Sequence, residues 1–259
     1  MNGKSLEGKV AIVTGSSRGI GKAIALAMAR AGAAVTVAAR TAEETGPLKG
    51  SIMKTAEEIK ALGGRALPIK TDVGDEEQVA AMVAKTLAEL GRIDILVNNA
   101  GGTVARPFKD LKLRHWDAVM RVNLRGLIAC TGAVLPTMIQ QKYGHIINVS
   151  SFAAGAVNDP FTGLAYDVSK AGVNRLTWGL AREMKEYNIA VNALAPRNTT
   201  SEGWVYLNPN ADKSQWQTPA LWGRIAVFVA SRDPATFIGR VFTAEDAEQE
   251  MAKARWILQ

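Results

Sequence analysis

Lys9-Val10-Ala11-Ile12-Val13-Thr14-Gly15-Ser16-Ser17-Arg18-Gly19-Ile20-Gly21 passes from strand to turn to helix in one short stretch. Its first half is a continuous apolar run rich in β-branched residues, the pattern of a strand buried on both faces of a parallel sheet. Its second half places Gly15, Gly19 and Gly21 ahead of a segment of helical period over 19–31. Glycine there permits a tight turn and lets backbone N–H groups and a helix N-terminus approach a pyrophosphate. A glycine triplet alone is more often an ordinary turn. Strand before and helix after shift the reading to a nucleotide.

The same alternation continues outward. Strands are expected over 9–14, 34–39, 66–71, 93–97, 145–149, 190–194 and 240–243. Helices are expected over 19–31, 51–62, 76–90, 113–140, 164–186 and 219–230, the fourth kinked near Pro136. An inserted loop with Gly46, Pro47 and Gly50 fills 41–50, and 197–217 reads as irregular. This is an α/β chain, a parallel sheet wound on both faces by helices. No repeat or linker divides it, so one domain over 1–259 is expected. Its core lies at about 9–195, a substrate lid at about 197–222 and a C-terminal tail at 247–259.

Composition narrows the function. The net charge is +7, from 31 basic and 24 acidic residues. The basic residues are dispersed, so attraction of an anionic small molecule is more economical than a nucleic-acid surface. Cys130 is the lone cysteine and the N-terminal residues carry no secretory pattern, which together favour a reducing cytoplasm. His115 and His145 have no metal-ligand company, and no metal site is expected. No run of eighteen or more apolar residues suggests a membrane span.

Tyr166-Asp167-Val168-Ser169-Lys170 sets a phenol and an ammonium four residues apart, on one helix face. A free tyrosine has a pKa of about 10, and a neighbouring ammonium favours its ionisation. By itself the pair is a common surface feature. It gains meaning from the glycine turn, from Asn98-Asn99-Ala100-Gly101 on the strand-four edge, and from Ser150-Ser151 after strand five. Together, over residues 9 to about 246, they resemble the short-chain dehydrogenase/reductase family. The resemblance implies a single-domain Rossmann-type fold and hydride transfer between a nicotinamide and a carbonyl or secondary alcohol, with ketone reduction the expected direction. It implies Tyr166 as proton relay, Lys170 on the tyrosine and the nicotinamide ribose, and Ser151 on the substrate oxygen. Ser150 stays open as an alternative. Asn123, in Val122-Asn123-Leu124, matches the asparagine that holds a water linked to the lysine.

For the cofactor, the turn Gly15, Ser17, Arg18, Gly19, Ile20 and Gly21 would carry the pyrophosphate. Strand two ends Ala38-Ala39-Arg40 without the carboxylate that would bind ribose hydroxyls in an NAD enzyme. Arg40 and Arg18 can converge on a 2′-phosphate, so NADP(H) is favoured. Resemblance also assigns Asp72 and Val73 to the adenine, with capping of the next turn as the alternative for Asp72. Asn99, Ala100 and Gly101 line the same edge. After strand six the family's Pro-Gly reads Pro196-Arg197, and Ser201 stands at the threonine that contacts the carboxamide. Thr199 or Thr200 would take that contact. The family's Asp-Gly-Gly after the last strand is replaced by Thr243-Ala244-Glu245-Asp246.

The loop Gly46-Pro47-Leu48, the run Thr55-Ala56-Glu57-Glu58-Ile59 and the basic residue after Pro196 resemble a subgroup called hydroxysteroid dehydrogenase-like proteins. The serine-to-tyrosine segment is longer than the family's, so a bulge is expected at Asn158-Asp159-Pro160. Trp204, Tyr206, Trp216 and Trp222 crowd the lid. They suit an apolar or ring-bearing substrate, or they pack the lid onto the body. The expected partners are a small-molecule carbonyl or alcohol and a second copy of the chain, as a homodimer or homotetramer through the helices over 113–140 and 164–186. Leu176, Leu180 and Met184 are candidates for that face, or for the core. Neither nucleic acid nor a membrane is expected as a partner. Alternatives are a non-catalytic NADP redox sensor, a nucleic-acid-associated protein resting on charge alone, and an enoyl reductase, whose Tyr and Lys are usually spaced more widely.

Overall fold

Alternate residues of each central strand point into two different cores, which is why the strands read as unbroken apolar runs. On β1 (Val10–Thr14), Ala11 and Val13 enter one core and Ile12 the other. The computed structural model describes residues 4–44, 48–155 and 162–256. Its sheet is parallel throughout, in the order β3-β2-β1-β4-β5-β6-β7. Here β2 is Ala34–Ala39, β3 Ala66–Lys70, β4 Ile95–Asn98, β5 Gly144–Val149, β6 Ile189–Leu194 and β7 Val241–Phe242.

One core lies under α1 (Gly19–Arg30), α2 (Ile52–Ala61), α8 (Pro219–Ala230) and α9 (Ala244–Lys253). The other lies under α3 (Glu76–Leu90), α5 (Gly126–Gln141) and α6 (Leu164–Met184). Strand order reverses between β1 and β4, so a crevice opens at their carboxyl ends, where ligands bind in doubly wound folds. The expected fold class is the observed one.

Three local differences have physical causes. The helix through 113–141 keeps α geometry past Pro136 and departs from it earlier. After α4 (Leu113–Met120), Arg121–Arg125 form one π-helical turn that contains Asn123. Such turns cost hydrogen-bond regularity and recur at functional sites. Within 197–217, expected to be irregular, Glu202–Leu207 form α7. The expected tail begins with α9, whose Thr243 and Asp246 make a reciprocal capping box. The run Leu113–Gln141 is apolar enough to cross a membrane by length and composition. In this fold it buries Leu127, Cys130, Val134 and Met138 in the second core. The expected loop residues Gly46 and Pro47 and the expected bulge over 158–160 lie outside the described residues.

The edge opposite the crevice holds a buried ionic group. Asp94 accepts from the Val10 N–H at 2.9 Å and from Arg92 Nε and Nη2 at 2.7 and 2.6 Å. Beside it His145 is fully buried, and among the described residues neither ring nitrogen has a partner at hydrogen-bond geometry. Burial, then Lys9, pushes its pKa down to about 4, against weaker pulls from Asp94, Asp233 and the Arg232 backbone. Below the ordinary histidine value of about 6.5 the unfolded chain binds a proton that the fold refuses. Stability therefore falls as pH drops from about 6.5 toward 4, by up to about 3 kcal/mol from this group. Urea unfolding at pH 7 and 4.5 should show His145→Leu losing about 2 kcal/mol less than wild type. Equal losses would assign the acid sensitivity to other groups.

Candidate active site

One hydroxyl ties the two strand ends that flank the crevice. Thr14 Oγ1 donates to the Val97 carbonyl at 3.1 Å and accepts from the Asn99 and Ala100 N–H groups at 3.0 and 3.1 Å. The Asn99 amide donates back to the Thr14 and Gly15 carbonyls at 2.9 and 3.1 Å. Gly15 and Gly19 complete the turn at φ +65° and +58°, where a Cβ is costly. Ser17 is buried in the turn and Ile20 packs on the first core. Arg18, at the N-cap of α1, offers no side-chain acceptor. The first N–H groups of the helix therefore face outward, and this cradle fits a dinucleotide pyrophosphate. One of those groups, Gly19 N–H, donates to Glu202 Oε2 at 2.8 Å.

At the adenosine end, Arg18 Nη2 donates to Thr41 Oγ1 at 3.3 Å and to the Gly50 carbonyl at 3.0 Å. Arg40 is exposed at the end of β2 and makes no hydrogen bond or ion pair among the described residues. Asp72 accepts from Gly74 N–H at 2.9 Å and from Arg121 Nη2 at 3.0 Å. Partial burial raises its pKa, but the Gly74 N–H and Arg121 outweigh this and hold it below the ordinary value. So Asp72 does cap its own turn, while Asp75 caps α3. Val73 is buried against Gly126 at the start of α5.

Tyr166 and Lys170 share one face of the N-terminal turns of α6, as their spacing predicts. The Ser151 hydroxyl lies close enough to the Tyr166 phenol to favour its ionised form. Ser150 instead donates to the Lys170 carbonyl at 3.3 Å, so Ser151 is the serine that meets the tyrosine. Lys170 is buried; its Nζ donates to the Val149 carbonyl at 2.7 Å and lies 5.6 Å from the Tyr166 ring centroid. Asn123 Nδ2 donates to the Gly102 carbonyl at 3.0 Å and Ser169 Oγ at 2.9 Å, and its Oδ1 accepts from Gly102 N–H at 2.9 Å. A Cβ on Gly101 would lie 3.3 Å from Asn123 Oδ1 and 3.6 Å from Lys170 Nζ. Tyrosine, serine, lysine and asparagine thus gather at one place.

The electrostatics differ from expectation. Burial raises the Tyr166 pKa, the nearby Ser151 hydroxyl lowers it and Asp167 raises it; the sum is upward. Lys170 does not depress the phenol, because its ammonium is turned to Val149 and desolvated itself. That desolvation brings the lysine down to about 8.

After β6, the Pro196 carbonyl accepts from Phe152 N–H at 2.9 Å and the Arg197 guanidinium stacks 4.5 Å above the Phe152 ring. Thr199 is buried and donates to the Arg197 carbonyl at 3.1 Å; Thr200 Oγ1 donates to the Gln217 carbonyl at 3.3 Å. Both hydroxyls hold their own loop. Trp222 is wholly buried in the first core, and Trp204 and Trp216 pair at 6.4 Å, so much of the lid's aromatic surface is packing. Tyr206 stays exposed. Sequence reasoning missed Glu202 and the buried chain Thr131–Asn98–Asn148–Thr177 that ties α5, β4, β5 and α6. Two asparagines and two threonines on the inward register of predicted elements were the available sign of that chain.

Residues 9–212 match the family described as short chain dehydrogenase. The chain belongs to the short-chain dehydrogenase family. A human hydroxysteroid dehydrogenase-like protein 2 is 42% identical over 194 residues, 74% of this chain and 46% of that protein. The chain thus spans about half the length of these relatives. A 3-oxoacyl-[acyl-carrier-protein] reductase from Synechocystis is 40% identical over 193 residues, 74% of each chain. Among solved structures, a putative dehydrogenase from Xanthomonas campestris superposes with TM-score 0.87 at 35% identity, over 96% of this chain and 91% of that one. A 7α-hydroxysteroid dehydrogenase complexed with NADH and 7-oxo glycochenodeoxycholic acid gives 0.81 at 29%, over 93% and 94%.

Proposed function

We propose that this short-chain dehydrogenase uses NADPH to reduce a ketone, with Tyr166 as the proton donor. The observation that carries the reading is the gathering of Tyr166, the buried Lys170 ammonium 5.6 Å from its ring, and Ser151 at one place. Two hydroxyls converge on one point, where they stabilise the charge that develops on a substrate oxygen. A phenol held above its ordinary pKa is protonated at neutral pH, the form a reduction needs. The nicotinamide, when bound, supplies the hydride. Lys170, its Nζ held on the Val149 carbonyl, is assigned to the nicotinamide ribose by family likeness, and Asn123 fixes the Gly102 backbone against Ser169. The test is a panel of ketones and quinones, ring-bearing ones first, followed by loss of nicotinamide absorbance. Tight NADPH binding with no turnover of any carbonyl would favour a redox sensor.

Support for NADP comes from Arg40, exposed where β2 ends without a carboxylate and, among the described residues, without a hydrogen bond or ion pair. Arg40→Asp is expected to move the NADP/NAD ratio of kcat/KM toward NAD by about 100-fold, on the scale of one lost charge-assisted contact plus repulsion. A ratio that hardly moves would leave Arg18 as the phosphate ligand. Asp72 and Val73 remain assigned to the adenine, and Thr199 to the carboxamide edge, by family likeness.

The same reading includes self-association. Ile128 on α5 and Leu164, Val168 and Trp178 on α6 are exposed, while Leu180 and Met184 pack on the second core. A two-fold axis joining these helices would cover the exposed set. Light scattering at micromolar concentration should give at least a dimer mass, and a monomer would refute it. A cytoplasmic setting suits the single, buried Cys130, whose thiol burial pushes up to about 12; recovery in a secreted fraction would contradict it.

A further inference from the structure

We propose that Glu202 is an anionic latch, its carboxylate holding the lid helix on the N–H groups that a cofactor's pyrophosphate needs. The inference rests on reading the β1–α1 turn as the pyrophosphate site. Gly19 N–H donates to Glu202 Oε2 at 2.8 Å across 183 residues of sequence. The first turn of α1 contains no acidic residue and its N-cap Arg18 supplies no acceptor. Glu202 therefore provides the negative charge that the positive end of a 12-residue helix attracts.

The lid also sits too close for a third group to enter. A Cβ on Gly19 would lie 3.1 Å from Ser201 Cβ and 3.6 Å from Glu202 Oε2. A carboxylate and a pyrophosphate cannot share this place, because both are anions seeking the same donors. Binding is then an exchange, in which one anion leaves as the other arrives. The lid's base can stay while α7 moves. Thr199 bridges Gln217, and Thr200 N–H donates to the Gln217 carbonyl at 2.9 Å. Trp204 lies on α7 and pairs with Trp216 beside the anchored Gln217, so indole emission reports the exchange.

Glu202→Gln keeps the size and removes the charge, and Glu202 is exposed, so the variant should fold. Titration of NADPH and of NADH should show both Kd values falling together by about five-fold, the scale of a carboxylate at a helix N-terminus. Inorganic pyrophosphate alone should shift the tryptophan emission of the wild type toward that of ligand-free Glu202→Gln. Unchanged or weaker binding of both cofactors, or an emission that pyrophosphate leaves untouched, would overturn the latch. Tightening of only one cofactor would also overturn it, since the pyrophosphate is common to both. A wild type that prefers NADH would overturn the NADP reading and leave the latch standing.

Discussion

Tyr166→Phe is expected to lower kcat by about a thousand-fold or more while NADPH affinity stays within about two-fold, given what positioned acid–base groups contribute. The phenol hydroxyl is the part removed, and its partner is the Ser151 hydroxyl rather than the glycine cradle. The ring that remains still fills its place beside Lys170, so α6 keeps its packing. Ser151 Oγ keeps its bond from the Ala153 N–H at 3.2 Å, so removing the half-buried phenol oxygen strands no acceptor and the fold is insensitive to the change. Stopped-flow measurement of nicotinamide oxidation separates the chemical step from cofactor release. A variant with near-wild-type kcat would remove Tyr166 from the proton transfer. A variant that loses cofactor binding to the same degree would make the phenol a cofactor ligand first.

The parts of this site that were legible in the sequence are those set by local spacing. Tyr166 and Lys170 share a face because a helix turns about 3.6 residues at a time, whatever lies around it. The glycine turn announces itself because glycine adopts the left-handed φ of positions 15 and 19 without steric cost. The strands read clearly because both of their faces are buried. What stayed hidden depends on distant partners. The raised Tyr166 pKa follows from burial by elements far apart in sequence, and spacing alone suggested the opposite direction. The π turn at Asn123 has no composition of its own; Arg121-Val122-Asn123-Leu124-Arg125 would extend an ordinary helix. Glu202 gave no sign because its partner lies 183 residues away in the sequence, and α7 is a short helix in a stretch dominated by turn residues. The α9 helix was different: its Thr243-x-x-Asp246 box was present in the sequence and read only as a missing family motif.

Gly21→Ala is expected to destabilise the protein by about 3 kcal/mol and to abolish cofactor binding at micromolar concentrations, against the helix preference for alanine of about 1 kcal/mol. A Cβ at this position would lie 2.3 Å from Asn99 Nδ2 and 2.4 Å from the Gly15 carbonyl oxygen. Neither neighbour can yield easily. The Asn99 amide is held by the Thr14 and Gly15 carbonyls, and the Gly15 carbonyl belongs to the turn backbone itself. Moving either one breaks the link between the ends of β1 and β4, and with it the cradle that faces the crevice. Gly132→Ala, on an exposed stretch of α5 with nothing within 4 Å of the new Cβ, is the contrasting case. It should be neutral or stabilising by roughly 0.5–1 kcal/mol, because alanine loses less backbone freedom on folding. Urea unfolding and cofactor titration of the two variants in parallel separate a steric effect from a general intolerance of glycine replacement. Equal stabilities for the two would mean that the turn relaxes around a methyl group, and that Gly21 does not hold β4 against β1.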